Sequence, residues 1–135
     1  MLSNTCKYAI RAVLYLAVNE KDDSKIGIKK ISEDLNMPSP FLGKILQVLS
    51  KHKILNSTKG PHGGFSLGKK AHDITLLEIV QIIDGLDFFH TCVIGVKVCE
   101  HDPSKKDICP FHDKLDPIRD ELHSQFKALS IGSFK

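Results

Sequence analysis

At 135 residues, with 41% apolar and 26% charged side chains, the chain has the make-up of one globular domain that can bury a core without disulfide staples. Its net charge of +3 is unevenly spread: residues 1–70 carry twelve basic against five acidic side chains, a net of +7, and residues 71–135 carry seven against eleven, a net of −4. The apolar N-terminal stretch is broken by Lys7 and Arg11, falls short of the ~20 residues of a membrane-spanning helix, and lacks the basic leader and cleavage site of a signal peptide.

No membrane partner and a cytoplasmic location are therefore expected. In that compartment cysteines are metal-bound, redox-active or free more often than disulfide-paired.

Residues 3–18 predict a first helix, capped by Ser3 or Asn4, with Ala9, Ile10, Val13, Leu16 and Ala17 at helical spacing. After a polar loop, "IKKISEDLN" predicts a short amphipathic helix with Ile28, Ile31 and Leu35 on one face and Asn36 at its end. "MPSPFLGKILQVLSKHKIL" predicts a second one, with Ser39 as N-cap and Pro40 at its first helical position. Phe41, Ile45, Val48 and Leu49 are its expected buried stripe, with Lys44, Lys51 and His52 off it. Two helices joined by so short a turn form a helix-turn-helix.

"ILNSTKGPHGGFSLGKK" then reads as a β-hairpin around a basic, glycine-rich tip, Lys59 to Gly63. A hairpin directly after a helix-turn-helix is a winged helix. Between Leu35 and His72 stand six lysines and no acidic residue, which suits a polyanion better than an ordinary solvated face. Ser39, Phe41, Lys44 and Lys51 on the helix, and Lys59, Pro61, His62 and Gly63 on the wing, are the candidate DNA-binding residues.

"DITLLEIVQIIDG" predicts a further helix, with a Thr75–Glu78 capping box and Gly85 closing it. The segment from 86 to 112 reads as a cysteine-bearing loop. The last helix, "DKLDPIRDELHSQFKALS", carries Leu115, Ile118, Leu122, Phe126 and Leu129 on one stripe, and Asp116-Pro117 could start it or kink it. So small a domain leaves that stripe little to pack on, so pairing with a second copy is expected.

The cysteine loop holds three of the four cysteines, Cys92, Cys99 and Cys109, and ends in Cys109-x-x-His112. Three thiolates and an imidazole suit an iron–sulfur cluster or a Cys₃His zinc site. An unmetallated loop of reactive thiols is the plainer alternative. Cys6 on the first helix reads as a small buried hydrophobe. His90 and His101 read as polar filler beside the loop, and His123 is assigned no role.

"YAIRAVLYLA", "ISEDLNMPSPFLGKILQVLSKHKIL", "STKGPHGGFSLGK" and "ITLLEIVQIIDG", followed by the loop cysteines, stand in one order. In these motifs the whole chain resembles the IscR/NsrR/CymR-type family of bacterial winged-helix transcription regulators. The resemblance implies a mainly α winged helix-turn-helix with a small β-hairpin wing and a long C-terminal dimerisation helix. The parts would be a DNA-binding domain over 1–85, a sensor loop over 86–112 and a dimerisation helix over 113–135. It implies a homodimer on double-stranded DNA, at a partly palindromic operator.

It also implies an iron–sulfur cluster, [2Fe–2S] ahead of [4Fe–4S], on Cys92, Cys99, Cys109 and His112, with zinc or no metal as alternatives. Members without a cluster sense in other ways. The chain departs from the pattern at several points. Six residues separate Cys92 from Cys99 and nine separate Cys99 from Cys109, wider than in cluster-binding members. Lys7 stands where some nitric-oxide sensors have a ligating aspartate. Gly43 replaces a base-reading glutamate, and Lys59 an arginine. An enzyme is disfavoured, since G-x-S-x-G, a phosphate-binding glycine loop and H-E-x-x-H are all missing. A module that binds only protein fits the lysine run poorly.

Overall fold

The computed structural model describes residues 2–21, 24–90 and 111–134. The segment 91–110, with Cys92, Cys99 and Cys109, lies outside the described residues.

Helix α1 spans Asn4–Val18 and buries Cys6, Ala9, Ala12, Val13, Leu16 and Ala17. Ser3 is its N-cap; the hydroxyl accepts from the Cys6 N–H at 3.0 Å. Ser3 is itself anchored, its N–H and hydroxyl donating to the Asp84 carboxylate at 2.9 and 2.5 Å. Helix α2 spans Ile28–Leu35 and ends, as expected, at Asn36, which takes the left-handed conformation with φ 53°.

Helix α3 spans Ser39–Lys51. Pro38, not Ser39, is its N-cap, so Ser39 and Pro40 fill its first two positions. Its buried face is Leu42, Ile45, Leu46 and Leu49, and Val48 is 39% exposed. The expected stripe through Phe41 and Val48 is therefore rotated. At about 100° per residue the four buried positions span about 100° and Val48 falls about 60° beyond their edge. Several apolar residues crowd α3, so periodicity left the face open and packing decided it.

Lys53, with φ 63°, turns the chain into strand β1, Leu55–Thr58. Strand β2, Gly64–Leu67, pairs antiparallel with it, Leu55 opposite Leu67 and Thr58 opposite Gly64. A third, single-residue bridge joins Ile26 to Phe65 through bonds of 2.9 and 2.8 Å. It requires Gly64, where a Cβ would stand 2.5 Å from the Ile26 carbonyl oxygen. The wing is thereby tied to the residues just before α2.

A single 3₁₀ turn, Ala71–Asp73, leads to α4, Leu76–Ile83. Thr75 caps α4 by accepting from the Glu78 N–H at 3.1 Å, and Gly85, with φ 77°, closes it. A short helix α5, Asp87–His90, follows where the sequence suggested only loop. Helix α6 spans His112–Ala128, with Pro117 inside it. It stops short of the expected extent. Residues 129–134 fold back: the Leu76 N–H donates to the Leu129 carbonyl at 3.0 Å and the Ile131 N–H to the Ile74 carbonyl at 2.8 Å. Ile131 is fully buried in the main core with Leu42, Leu46, Leu49, Ile54 and Ile74.

The described residues are mainly helical around one two-stranded antiparallel sheet, the winged helix-turn-helix expected from the sequence. No helix among them is long and apolar enough to cross a membrane.

Candidate nucleic-acid interface and cysteine segment

The surface of α3 opposite its buried face carries Pro40, Lys44, Gln47, Val48 and Lys51, all exposed. Their spacing places them within about a 100° arc of the helix. Ser39 is half-buried, away from the centre of that arc. Phe41 is also half-buried; its ring meets Tyr8 edge-on at 5.5 Å, and the Arg11 guanidinium lies 5.7 Å over the Tyr8 ring. Phe41 thus seats α3 against α1 and offers little surface to a ligand.

In the wing tip Lys59, Gly60, Pro61 and His62 are exposed. The turn closes through the Gly63 N–H to the Gly60 carbonyl at 3.0 Å. A Cβ at Gly63 would lie 2.0 Å from the Thr58 carbonyl oxygen, so only glycine lets the chain fold this tightly. The Lys25 ammonium donates to the Thr58 hydroxyl, adding a cation beside the wing tip that the sequence did not point to. Lys69 is a different case from the other lysines of the run. Its ammonium pairs with Glu78 at 2.6 Å and both side chains are about one-third exposed, so its charge is compensated within the fold.

The 91–110 segment is bracketed by α5 and α6. Phe89 is buried between Cys6 and Val80, and its ring packs on Phe126 at 5.6 Å and His123 at 5.1 Å. His90 lies 5.9 Å from His123, which now has a place, on the aromatic seam that joins α5 to α6. The "DFFH" aromatic pair was the sequence signal for this anchor. The Cys6 thiol, buried here beside Asp84, is pushed up to about 12 by desolvation first and the carboxylate second. Such a thiol is packing, as the sequence suggested.

Among the described residues no three His, Cys, Asp or Glu side chains gather to hold a metal. The donor set of the sequence, Cys92, Cys99, Cys109 and His112, lies between α5 and the first residue of α6. Three soft thiolates and one imidazole fit an iron–sulfur cluster or zinc by chemistry.

The stripe on α6 divides in two. Ile118 is 64% and Leu122 36% exposed, whereas Phe126 turns inward onto Phe89. Phe126 was expected on an intersubunit seam; its ring is used within the chain. Pro117, Ile118, Glu121, Leu122 and Gln125 form one shallow, largely apolar patch. Arg119, 5% exposed, is paired with Asp116.

Comparison with known proteins agrees with this layout. The family model described as Rrf2, iron-dependent transcriptional regulator, matches residues 2–134. The chain is 30% identical over 131 residues to an Aquifex aeolicus sequence named for a helix-turn-helix-type transcriptional regulator, covering 97% of this chain and 88% of that one. It is also 30% identical over 83 residues to the regulator IscR of Klebsiella pneumoniae, covering 62% of this chain and half of that protein. Among solved structures it superposes on CymR, the global cysteine regulator of B. subtilis, with a TM-score of 0.78 at 20% identity over 99% of this chain and 95% of that one. The IscR structure from T. potens gives 0.72 at 18% identity over 99% and 85%. By its match over nearly its whole length, the chain belongs to the Rrf2 family of transcriptional regulators.

Proposed function

We propose that this chain is a dimeric, sequence-specific DNA-binding regulator, acting in the cytoplasm and switched at its cysteine segment. The observation that carries the reading is the pairing of the exposed α3 arc with the glycine-closed wing tip inside a stretch with no acidic residue. An α-helix of this width enters the major groove, and a basic hairpin follows the backbone or the adjacent minor groove. Lys44 reaches base edges, Ser39 and Lys51 serve phosphates or base edges at the rim, and Lys59, Pro61, His62 and Gly63 lie along the backbone. Phe41 supports the helix from behind. A partly palindromic operator follows from a two-fold dimer, which the outward patch around Ile118 and Leu122 favours.

Cys92, Cys99, Cys109 and His112 would hold an iron–sulfur cluster, of the [2Fe–2S] type. The family's description as iron-dependent supports this over a structural zinc site. A bound cluster supplies a redox-sensitive centre whose stability responds to oxidants and to iron supply. The chain's own residues carry the effect onward. His112 begins α6, the same helix presents Ile118 and Leu122, and its far end packs on Phe89 and leads into the buried Ile131. Ligation at the start of α6 thus bears on the helix that would set the distance between two recognition helices. Direct thiol sensing is the second reading, for which the same three cysteines would serve.

The test combines two measurements on anaerobically purified protein. Affinity for duplex DNA is measured against salt concentration, and the absorption spectrum is read with iron and sulfide assays. Salt-steep binding that prefers one sequence, from a brown protein, supports the whole reading. Absence of DNA binding overturns it. A colourless protein with stoichiometric zinc, or a metal-free one whose affinity responds to thiol oxidants, replaces the cluster and leaves the DNA reading in place.

A further inference from the structure

The exposed arc of α3 holds two residues that phosphate binding does not explain. Gln47 stands at one edge of it, with Lys44 one turn before and Lys51 one turn after. Val48, at the other edge, is one of the few large apolar side chains left in water, at 39% exposure, although the helix has a well-filled buried face. Both line a groove between α3 and the wing, together with Ser50, Lys51 and Ser57. That groove lies between the two elements the DNA reading brings to the duplex. The Ser50 hydroxyl, also on its wall, has no hydrogen-bond partner among the described residues. Position 43, nearer the start of α3, is a glycine and offers no side chain to a base. Gln47 and Val48 stand about one turn further along.

We propose that Gln47 and Val48 are base-reading residues, Gln47 taking an adenine and Val48 the methyl group of a thymine in the major groove. The inference rests on the DNA-binding reading above and deepens it. A glutamine amide has one donor and one acceptor in a plane, which match the N6 amino group and N7 of adenine and no other major-groove edge as well. Isopropyl methyls have no partner on a base except the thymine C5-methyl. Gln47 and Val48 follow each other in the chain and so stand about 100° apart, at the two edges of the arc, which sets them toward different base pairs of one half-site. The half-site should hold an adenine and a thymine at two separate positions. Lys44 and Lys51, on either side, hold the helix to the phosphates or to guanine edges.

The experiment is selection from a randomised duplex pool by the full chain, followed by affinity measurements on the selected site. Wild type, Gln47→Ala, Val48→Ala and Lys59→Ala are compared, with affinity for an unrelated duplex as a check that each variant still folds and binds. Gln47→Ala should lose the preference for adenine at one position per half-site by on the order of ten- to a hundredfold, with the other positions kept. Lys59→Ala should weaken all sequences alike. Replacing one thymine at a time by deoxyuracil removes only a methyl group. At one position this should weaken wild type about fourfold and leave Val48→Ala unaffected. The proposal is overturned if Gln47→Ala selects the wild-type base at every position, or if each uracil substitution affects wild type and Val48→Ala equally. If wild type itself selects no sequence, the DNA reading fails with it, an outcome distinct from both.

Discussion

Replacing Leu122 by aspartate tests the proposed dimer through an apolar α6 patch that the described residues leave uncovered. Ile118 and Leu122 keep 64% and 36% of their surface in water within the single chain. Full burial of such a side chain stabilises by about 1.5–3 kcal/mol, so covering the remainder on both copies is worth about 3–6 kcal/mol in a symmetric dimer. The Leu122→Asp change would remove part of this and place two carboxylates near each other in the seam. An uncompensated charge in an apolar interface costs about 3–5 kcal/mol, or roughly two to four decades in dimer dissociation constant. The single chain should tolerate the change, because Leu122 takes no part in its core clusters. Sedimentation velocity at micromolar concentration should show a folded monomer, with helical circular dichroism retained. Ile118→Asp should behave in the same way. Phe126→Ala should instead lower the stability of the chain, because it removes the ring packed on Phe89. A Leu122→Asp variant that is folded and still dimeric at micromolar concentration would refute the assignment of this face.

Lys59→Ala should weaken binding to all duplexes alike and flatten the salt dependence by about one unit of slope, whereas Lys44→Ala should also change base preference; an unchanged slope would remove the wing from the contact. Serine at Cys92, Cys99 or Cys109 should abolish the colour of anaerobic protein and His112→Ala should only weaken it, as followed by absorption; retention of colour in any of the three thiol variants would exclude that ligand. The Cys6 thiol, raised to about 12 in the folded chain against about 9 unfolded, should contribute stability that is complete below pH 9 and is lost as pH rises toward 12. In a variant lacking the other three cysteines, iodoacetamide should label Cys6 at about pH 8 only as fast as the fold opens; labelling at the rate of an unfolded peptide would contradict its burial. Ile131→Ala should cost about 2–5 kcal/mol in chemical denaturation, because the side chain is fully buried; a loss under ~0.5 kcal/mol would mean the C-terminal fold-back is not part of the core.

The sequence by itself determined the order of elements and their boundaries where local chemistry is strong. Ser3, Asn36 and Thr75 mark helix ends because their side chains or backbone preferences act within a few residues. The wing was legible because Gly63 and Gly64 satisfy close approaches that no other residue could. The lysine run, and with it the candidate DNA face, was a matter of counting. What it could not determine was which side of a crowded apolar helix faces inward. Val48 and Leu42 are both aliphatic, and only packing against α1 and β1 buried the second and left the first in water. Charge counting likewise could not tell Lys69, neutralised by Glu78 from nine residues away, from Lys59 at the wing tip. The C-terminal residues gave no local signal for their return to Ile74, which depends on a backbone pairing between segments far apart in the chain. Phe126 and Ile118 stand on one predicted stripe, yet Phe89 draws the first inward and leaves the second out. Long-range contacts of this kind depend on how whole elements fit together, and tertiary packing alone decides them.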